Sequence, residues 1–202
     1  EIAKEITEIK WDAKAAEKAG FEHFMMKEIH EQPKAVQDTL SSVIKNGTID
    51  LSECGLSKER IQSVGHIYIV ACGSAYHAGM VAQYVIESLA KIPVRVDLAS
   101  EFRYRKPLLE KDGLVIIISQ SGETADSLAA LREAKGRGIK TLAIVNVVGS
   151  SIAREADDVF YTLAGPEIAV ATTKAYSTQL IAGYLLAVQF AKVRGQIDEK
   201  RY

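Results

Sequence analysis

A chain of 202 residues, 48% hydrophobic and 25% charged, has the composition of an ordinary globular protein and can bury one full core with an appendage. Its formal net charge of −1, with both signs spread along the chain, gives no electrostatic footing for nucleic acid or an anionic membrane. The longest apolar stretch, nine residues at 180–188, is too short to span a bilayer.

Residues 1–20 are polar and rich in Ala, Lys and Glu around Trp11-Asp12, without a strong period, and read as a linker or the trailing end of another domain. From 22 to 46, Phe24, Met25, Ile29, Val36, Leu40, Val43 and Ile44 fall largely at helical spacing. Pro33 is expected to break or kink this helix, and Asn46-Gly47 to end it. Alternation then becomes regular. It predicts a strand at 67–72, a helix at 75–90, strands at 94–98 and 114–119, and a helix at 125–137. A strand at 141–146, a short helix from about 150 and a strand at 158–162 follow. The chain closes with a long helix at 171–194, whose apolar faces are read at Tyr176, Leu180, Tyr184, Leu185 and Val188.

Strands alternating with helices predict an α/β fold, a three-layer αβα sandwich around one mostly parallel five-stranded sheet. Right-handed crossovers place every strand-to-helix turn on one sheet edge. Three turns are expected to meet there: Gly73-Ser74-Ala75, 119–124 and 145–151.

The second of these is the most informative. The apolar run at 114–118 ends abruptly in Ser119-Gln120-Ser121-Gly122-Glu123-Thr124, and helix-compatible sequence follows at once. Such a turn aims backbone N–H groups and the positive end of a helix dipole at one spot, where a phosphate fits. The loop carries no Lys or Arg, so its donors are neutral, which suits a small sugar phosphate better than a polyphosphate. Two readings stand open: Ser121 simply caps the helix, or the three hydroxyls with Gln120 and Gly122 hold a ligand. Ligand binding is favoured, because one cap needs one hydroxyl. Glu123 is read as a carboxylate complementing the helix dipole.

Cys72-Gly73-Ser74-Ala75 is a glycine turn that fails both the dinucleotide and the P-loop fingerprints, leaving Ser74 as a helix N-cap or a ligand contact. Thr172-Thr173-Lys174 opens the last helix, with capping and a solvated charge as its plain reading. Gln120 and Glu101 are polar residues suited to a carbohydrate site or to a structural role. Cys54 and Cys72 fit neither a metal spacing nor a disulfide framework, and the four histidines form no metal-like group. No metal, cofactor or catalytic grouping is expected. Lacking a leader pattern and starting at Glu1, the chain is read as cytoplasmic and as a piece of something longer.

The run from Ser119 to Thr124, continued by Ala125-Asp126, resembles the sugar-phosphate loop of the sugar isomerase (SIS) domain, a flavodoxin-like fold. Three further blocks, at 24–33, 99–105 and 167–175, resemble the glutamine–fructose-6-phosphate aminotransferase family. Together the likeness runs from about Trp11 to the C-terminus. It implies an inter-domain linker or the end of a glutaminase domain at 1–20, and the first of two SIS modules at 21–202. It implies binding of fructose 6-phosphate, which the family converts with ammonia from glutamine to glucosamine 6-phosphate for hexosamine synthesis. Ser119, Gln120, Ser121 and Thr124 match the family's phosphate positions. Ser74, Ala75, Val170 and Thr172 match its sugar positions, with a hydroxyl lost at Ala75 and Thr172 standing where Ser is common.

The family's nucleophilic cysteine, catalytic glutamate, ring-opening histidine and Schiff-base lysine lie outside the matched part, so the chain alone is expected to be inactive in synthesis. Its implied partners are the glutaminase domain, the second SIS module and a second copy in a homodimer. The alternative is a sugar-phosphate-sensing regulatory SIS domain, which would be expected to carry a basic helix-turn-helix that the N-terminal segment lacks. A stand-alone sugar-phosphate isomerase is a third reading, opposed by the linker-like N-terminus and the missing acid/base set.

Overall fold

A computed structural model describes residues 16–198 of the chain. Most of the segment read as a linker, including Trp11, lies outside the described residues. The centre of the fold is built by the most apolar runs. β3 (His66–Ala71), β5 (Gly113–Ser119) and β6 (Lys140–Val145) are buried along almost their whole length, as expected of strands covered on both faces. β4 (Val94–Leu98) and β7 (Asp158–Tyr161) flank them, giving a five-stranded all-parallel sheet in the order β4-β3-β5-β6-β7.

Successive residues point to opposite faces. Ile67, Ile69, Leu114, Ile116, Ile118 and Ile144 pack under α3 (Gly73–Ala90) and α7 (Lys174–Val193). Tyr68, Val70, Val115, Ile117, Ala143 and Val145 pack under α4 (Ala99–Arg105), α5 (Ala125–Gly136) and α6 (Ser151–Glu155). Each fully buried Ile or Val contributes about 1.5–3 kcal/mol over its exposed state. The strand order reverses between β3 and β5. Crossovers leaving these two neighbours go to opposite faces of the sheet, which opens a crevice at their C-terminal ends.

Some element bounds differ from the sequence reading. α3 starts two residues earlier than expected, at Gly73, and α7 three residues later, at Lys174. α4 follows β4 directly without a loop of its own, which left it unread. On α7 the buried side is not the one that Tyr176, Leu180 and Tyr184 mark; Tyr184 is exposed and Ala175, Ala182, Leu186 and Phe190 are buried. Small residues decide this, because a Cβ on Gly183 would lie 2.9 Å from the Ala82 Cβ of α3. The two helices therefore meet at closer range than larger side chains allow.

The N-terminal layer corrects the sequence reading more strongly. α1 (Phe24–Val43) runs unbroken through Pro33. The Ile29 carbonyl, which would otherwise take the missing N–H of residue 33, accepts from Gln32 Nε2 at 3.2 Å instead. Its buried face carries Lys27, Glu28, Ala35, Thr39 and Val43, while Met25 and Ile29 are exposed, the reverse of an apolar stripe. α1 packs on α7. Asn46-Gly47 does not end the helix, which stops at Val43. The pair turns a two-stranded hairpin between β1 (Ile44–Lys45) and β2 (Thr48–Ile49), with φ of +53° and +75° as such two-residue turns require. Between this hairpin and β3, a 3-10 turn (Ser52–Cys54) and α2 (Lys58–Ser63), capped by Ser57, add Leu51, Leu56, Ile61 and Val64 to the core.

Candidate functional site

A cleft of about 240 Å³ opens at the reversal of strand order. Cys72, Ser74 and Ala75 come from the end of β3 and the first turn of α3, and Ser119, Gln120, Ser121 and Thr124 from the β5–α5 loop. Glu167, Val170 and Thr172 close it from the strap at 162–173, and Gln179 reaches it from α7. All eight residues read as phosphate or sugar contacts are thus brought to one place. Of the three turns expected to meet here, only two line the cleft. The third, at 146–151, lies beneath the second as its support.

The β5–α5 loop is held in part by its own hydroxyls. Ser119, only 4% exposed, accepts the Gly122 N–H at 3.1 Å and pairs with the Thr124 hydroxyl at 3.1 Å. With one N–H already donated to Ser119 Oγ, the arrangement in which Ser119 donates to Thr124 leaves the Thr124 proton for a ligand. Ser121 Oγ accepts the Glu123 N–H at 3.2 Å, so its own proton is also available. Ser121 therefore does not cap α5. Thr124 stands at the N-cap position and makes no side-chain cap bond, so the first-turn N–H groups of α5 keep no intrahelical partner and no hydroxyl cap. The Ser121 proton, the Thr124 proton in that arrangement and a helix N-terminus converge, and among the described residues no cationic side chain lines the cleft.

Support comes from below. Gly122 sits at φ +65°, and a Cβ there would overlap the Ser150 side chain. Asn146 N–H donates to the Gln120 carbonyl at 3.1 Å and Ile152 N–H to that of Gly122 at 3.0 Å. Glu123 accepts Ser151 N–H at 2.7 Å, so its carboxylate serves the start of α6 rather than α5. Hydrogen bonding from Ser151, side chain first and then backbone, holds the Glu123 carboxyl below the ordinary glutamate range.

The strap is held from far away. Glu28 of α1, 2% exposed, accepts Ile168 N–H at 2.6 Å and Ala169 N–H at 3.1 Å through one oxygen. Thr39 Oγ1 accepts Leu163 N–H at 3.1 Å, and Asn146 ties Ala164 and Gly165 at 3.0 and 2.8 Å. Glu167, whose backbone belongs to the strap, caps α7. Its carboxylate accepts Thr173 N–H at 2.9 Å, Ala175 N–H at 3.2 Å and the Thr172 hydroxyl at 3.0 Å. Thr172 thus spends its proton inside the strap and presents only lone pairs to the cleft. Val170 is fully exposed at the mouth, and Ala75 is buried in the wall.

Lys174 is not a solvated charge. It is 3% exposed and donates to Glu31 of α1 at 2.6 Å, with Lys27 3.4 Å from the same carboxylate. Ser74 is exposed in the first turn of α3 and does not occupy its N-cap, which is Cys72. Glu101 stands exposed on α4, outside the cleft. Sequence reasoning missed Glu28, Glu167 as a cap, and Gln179; the only signal available was polar residues inside otherwise helical runs.

A larger cavity, about 550 Å³, lies elsewhere, between residues 42–55 and 157–163. Asp50, Glu53, Asp157 and Asp158 line it and would repel an anion; burial pushes the Cys54 thiol there up to about 11. Among the described residues no three His, Cys, Asp or Glu are arranged to hold a metal ion, and no helix is long and apolar enough to cross a membrane.

Fold and cleft together define a doubly wound α/β protein with a neutral, hydroxyl-lined site at its topological switch point. The chain belongs to the SIS domain family, whose description matches residues 60–189. It is 60% identical over 201 residues to glutamine–fructose-6-phosphate aminotransferase (isomerizing) of Clostridium tetani, covering 99% of this chain and 33% of that protein. The protein so named in Methanosarcina mazei is 53% identical over 197 residues, with 96% and 32% covered. The chain therefore spans about a third of the length of the curated relatives it matches. Among solved structures, the C-terminal domain of glucosamine-fructose-6-phosphate aminotransferase from Francisella tularensis superposes with a TM-score of 0.86 at 44% identity, covering 91% of this chain and 51% of that one.

Proposed function

We propose that this chain is the fructose-6-phosphate-holding SIS module of a glutamine–fructose-6-phosphate aminotransferase. The observation that carries the reading is the β5–α5 loop, where Ser121 keeps a hydroxyl proton free, and Thr124 does so when Ser119 donates to it, beside an uncapped helix N-terminus. Ser119 and Gln120 complete the phosphate end. Ser74, Val170 and Thr172 face the sugar, with Ala75 as wall. Thr172 takes part as an acceptor only. Relatives of that name at more than half identity support the substrate.

In the whole protein the module would sit between a glutaminase domain and a second SIS module, in a cytoplasmic homodimer, with residues 1–20 as the connecting segment. Its own task is to position the ligand; the groups that move protons come from elsewhere. Purified chain is accordingly expected to make no glucosamine 6-phosphate from fructose 6-phosphate and ammonia. Calorimetric titration tests the site directly. Saturable binding of fructose 6-phosphate, with none of unphosphorylated fructose, is the expected result, and equal behaviour of the two sugars would remove the phosphate assignment.

A further inference from the structure

We propose that Gln179 is a sugar-recognition residue of this cleft, its side-chain amide reading a hydroxyl of the ligand. Gln179 lies on the second turn of α7, is 4% exposed and lines the cleft. Its Oε1 is buried without a hydrogen-bond partner. Among the described residues, no other cleft-lining side chain carries such an atom. Three polar residues near it already have partners. Ser119 takes Gly122 N–H and Thr124, Glu167 takes the start of α7, and Thr178 turns its hydroxyl back to the Ala175 carbonyl at 2.9 Å.

An acceptor shut away from water is costly until a donor arrives. A fully ionised phosphate answers only the amide nitrogen, because its oxygens are themselves acceptors and leave Oε1 unpaired. A hydroxyl answers both, since it donates to the amide oxygen and accepts from the amide nitrogen. Thr172, its own proton committed to Glu167, likewise asks the ligand for a proton. The cleft therefore has a donor end at the β5–α5 loop and an acceptor side at Thr172 and Gln179. That polarity selects a phosphate ester of a polyol over a bare phosphate ester.

The inference rests on the cleft's taking a sugar phosphate, and the test separates the two. Affinities of the full chain for fructose 6-phosphate and for methyl phosphate, which has no hydroxyl to offer, are compared in wild type, Gln179→Met and Gln179→Glu. Wild type is expected to prefer the sugar ester. Gln179→Met, similar in size, is expected to cut that preference by about five- to tenfold, mostly through weaker fructose 6-phosphate binding. Gln179→Glu keeps an acceptor oxygen, and its added charge opposes both phosphates alike, so the preference is expected to survive.

A wild-type preference retained in Gln179→Met overturns the role of Gln179. Equal wild-type binding of both esters also overturns it, while leaving the phosphate loop in place. Should Gln179→Met bind neither ligand, a preference in Gln179→Glu below that of wild type overturns the inference. No wild-type binding of either ester removes the proposed function and this inference with it.

Discussion

The β5–α5 loop and the strap at 162–173 are walls of the same cleft, yet they are held in different ways. The hydroxyl and N–H bonds inside the loop join residues two to five positions apart. Those between the strap and α1 join residues 124 to 141 positions apart. The loop takes its shape from the bonds inside it and from the neighbouring segment at 146–152, which meets it on the sheet. The strap takes part of its shape from Asn146 and Glu167, and the rest only where α1, docked on α7, brings Glu28 and Thr39 to it. One wall built mainly from near neighbours and one built at long range make an arrangement in which upstream sequence can shape one side of the cleft without touching the other.

The largest expected effect tests the long-range wall. Glu28→Ala removes the acceptor of two strap N–H groups, and at roughly 1–2 kcal/mol for each, the lower part of the usual range because Ile168 is exposed, a loss of about 2–4 kcal/mol of stability is expected. Urea unfolding measures it; a midpoint equal to wild type would show that the strap does not depend on α1. Next comes the local wall. Gly122→Ala forces a side chain into a left-handed backbone position and against Ser150, for an expected loss of about 1–3 kcal/mol together with fructose 6-phosphate binding. Normal binding by this variant would mean that the loop's geometry is not what the ligand reads.

Thr124→Val and Ser121→Ala should sharpen the contrast by separating binding from stability. Each is expected to weaken fructose 6-phosphate binding by about 1–3 kcal/mol, through a lost bond to a charged group; the melting temperature stays close to wild type in Ser121→Ala and falls in Thr124→Val, which leaves the buried Ser119 hydroxyl without that partner. Calorimetry beside a thermal melt reads both, and unchanged affinity in both variants would sink the phosphate assignment.

The smallest effect is that of acid. The Glu123 carboxyl is held below its ordinary range by Ser151, so its contribution is present above an unfolded value of about 4.3 and fades as pH falls through the lower folded value. Thermal melts between pH 5 and pH 3 should therefore decline less in Glu123→Gln than in wild type. Parallel declines would show that the tie between the loop and α6 adds nothing.

How much was legible follows the same division. The runs at 114–119 and 141–146 announce buried parallel strands because residues covered on both sides must be apolar throughout. The hydroxyl-rich turn after β5 was legible because its donors and its helix lie in one short stretch. α1 misled the eye, since its buried face is polar where it grips the strap and its exposed face carries Met25 and Ile29. The segment at 47–65 was unreadable because its elements are two to six residues long, too short to show a period.

By itself, then, the sequence determined the sheet, its parallel sense, the edge on which its strand-to-helix turns gather and the hydroxyl-rich turn after β5. Each of these is a matter of neighbours within a few residues, where periodicity and turn chemistry act. Only the tertiary structure decided that Glu28 and Thr39 shape the strap, that Glu167 caps α7, that Thr172 is left as an acceptor and that Gln179 is shut into the cleft unpaired. Most of these depend on which polar groups are brought together once water is excluded. That partnership is set by packing between distant segments, and no local pattern of residues encodes it.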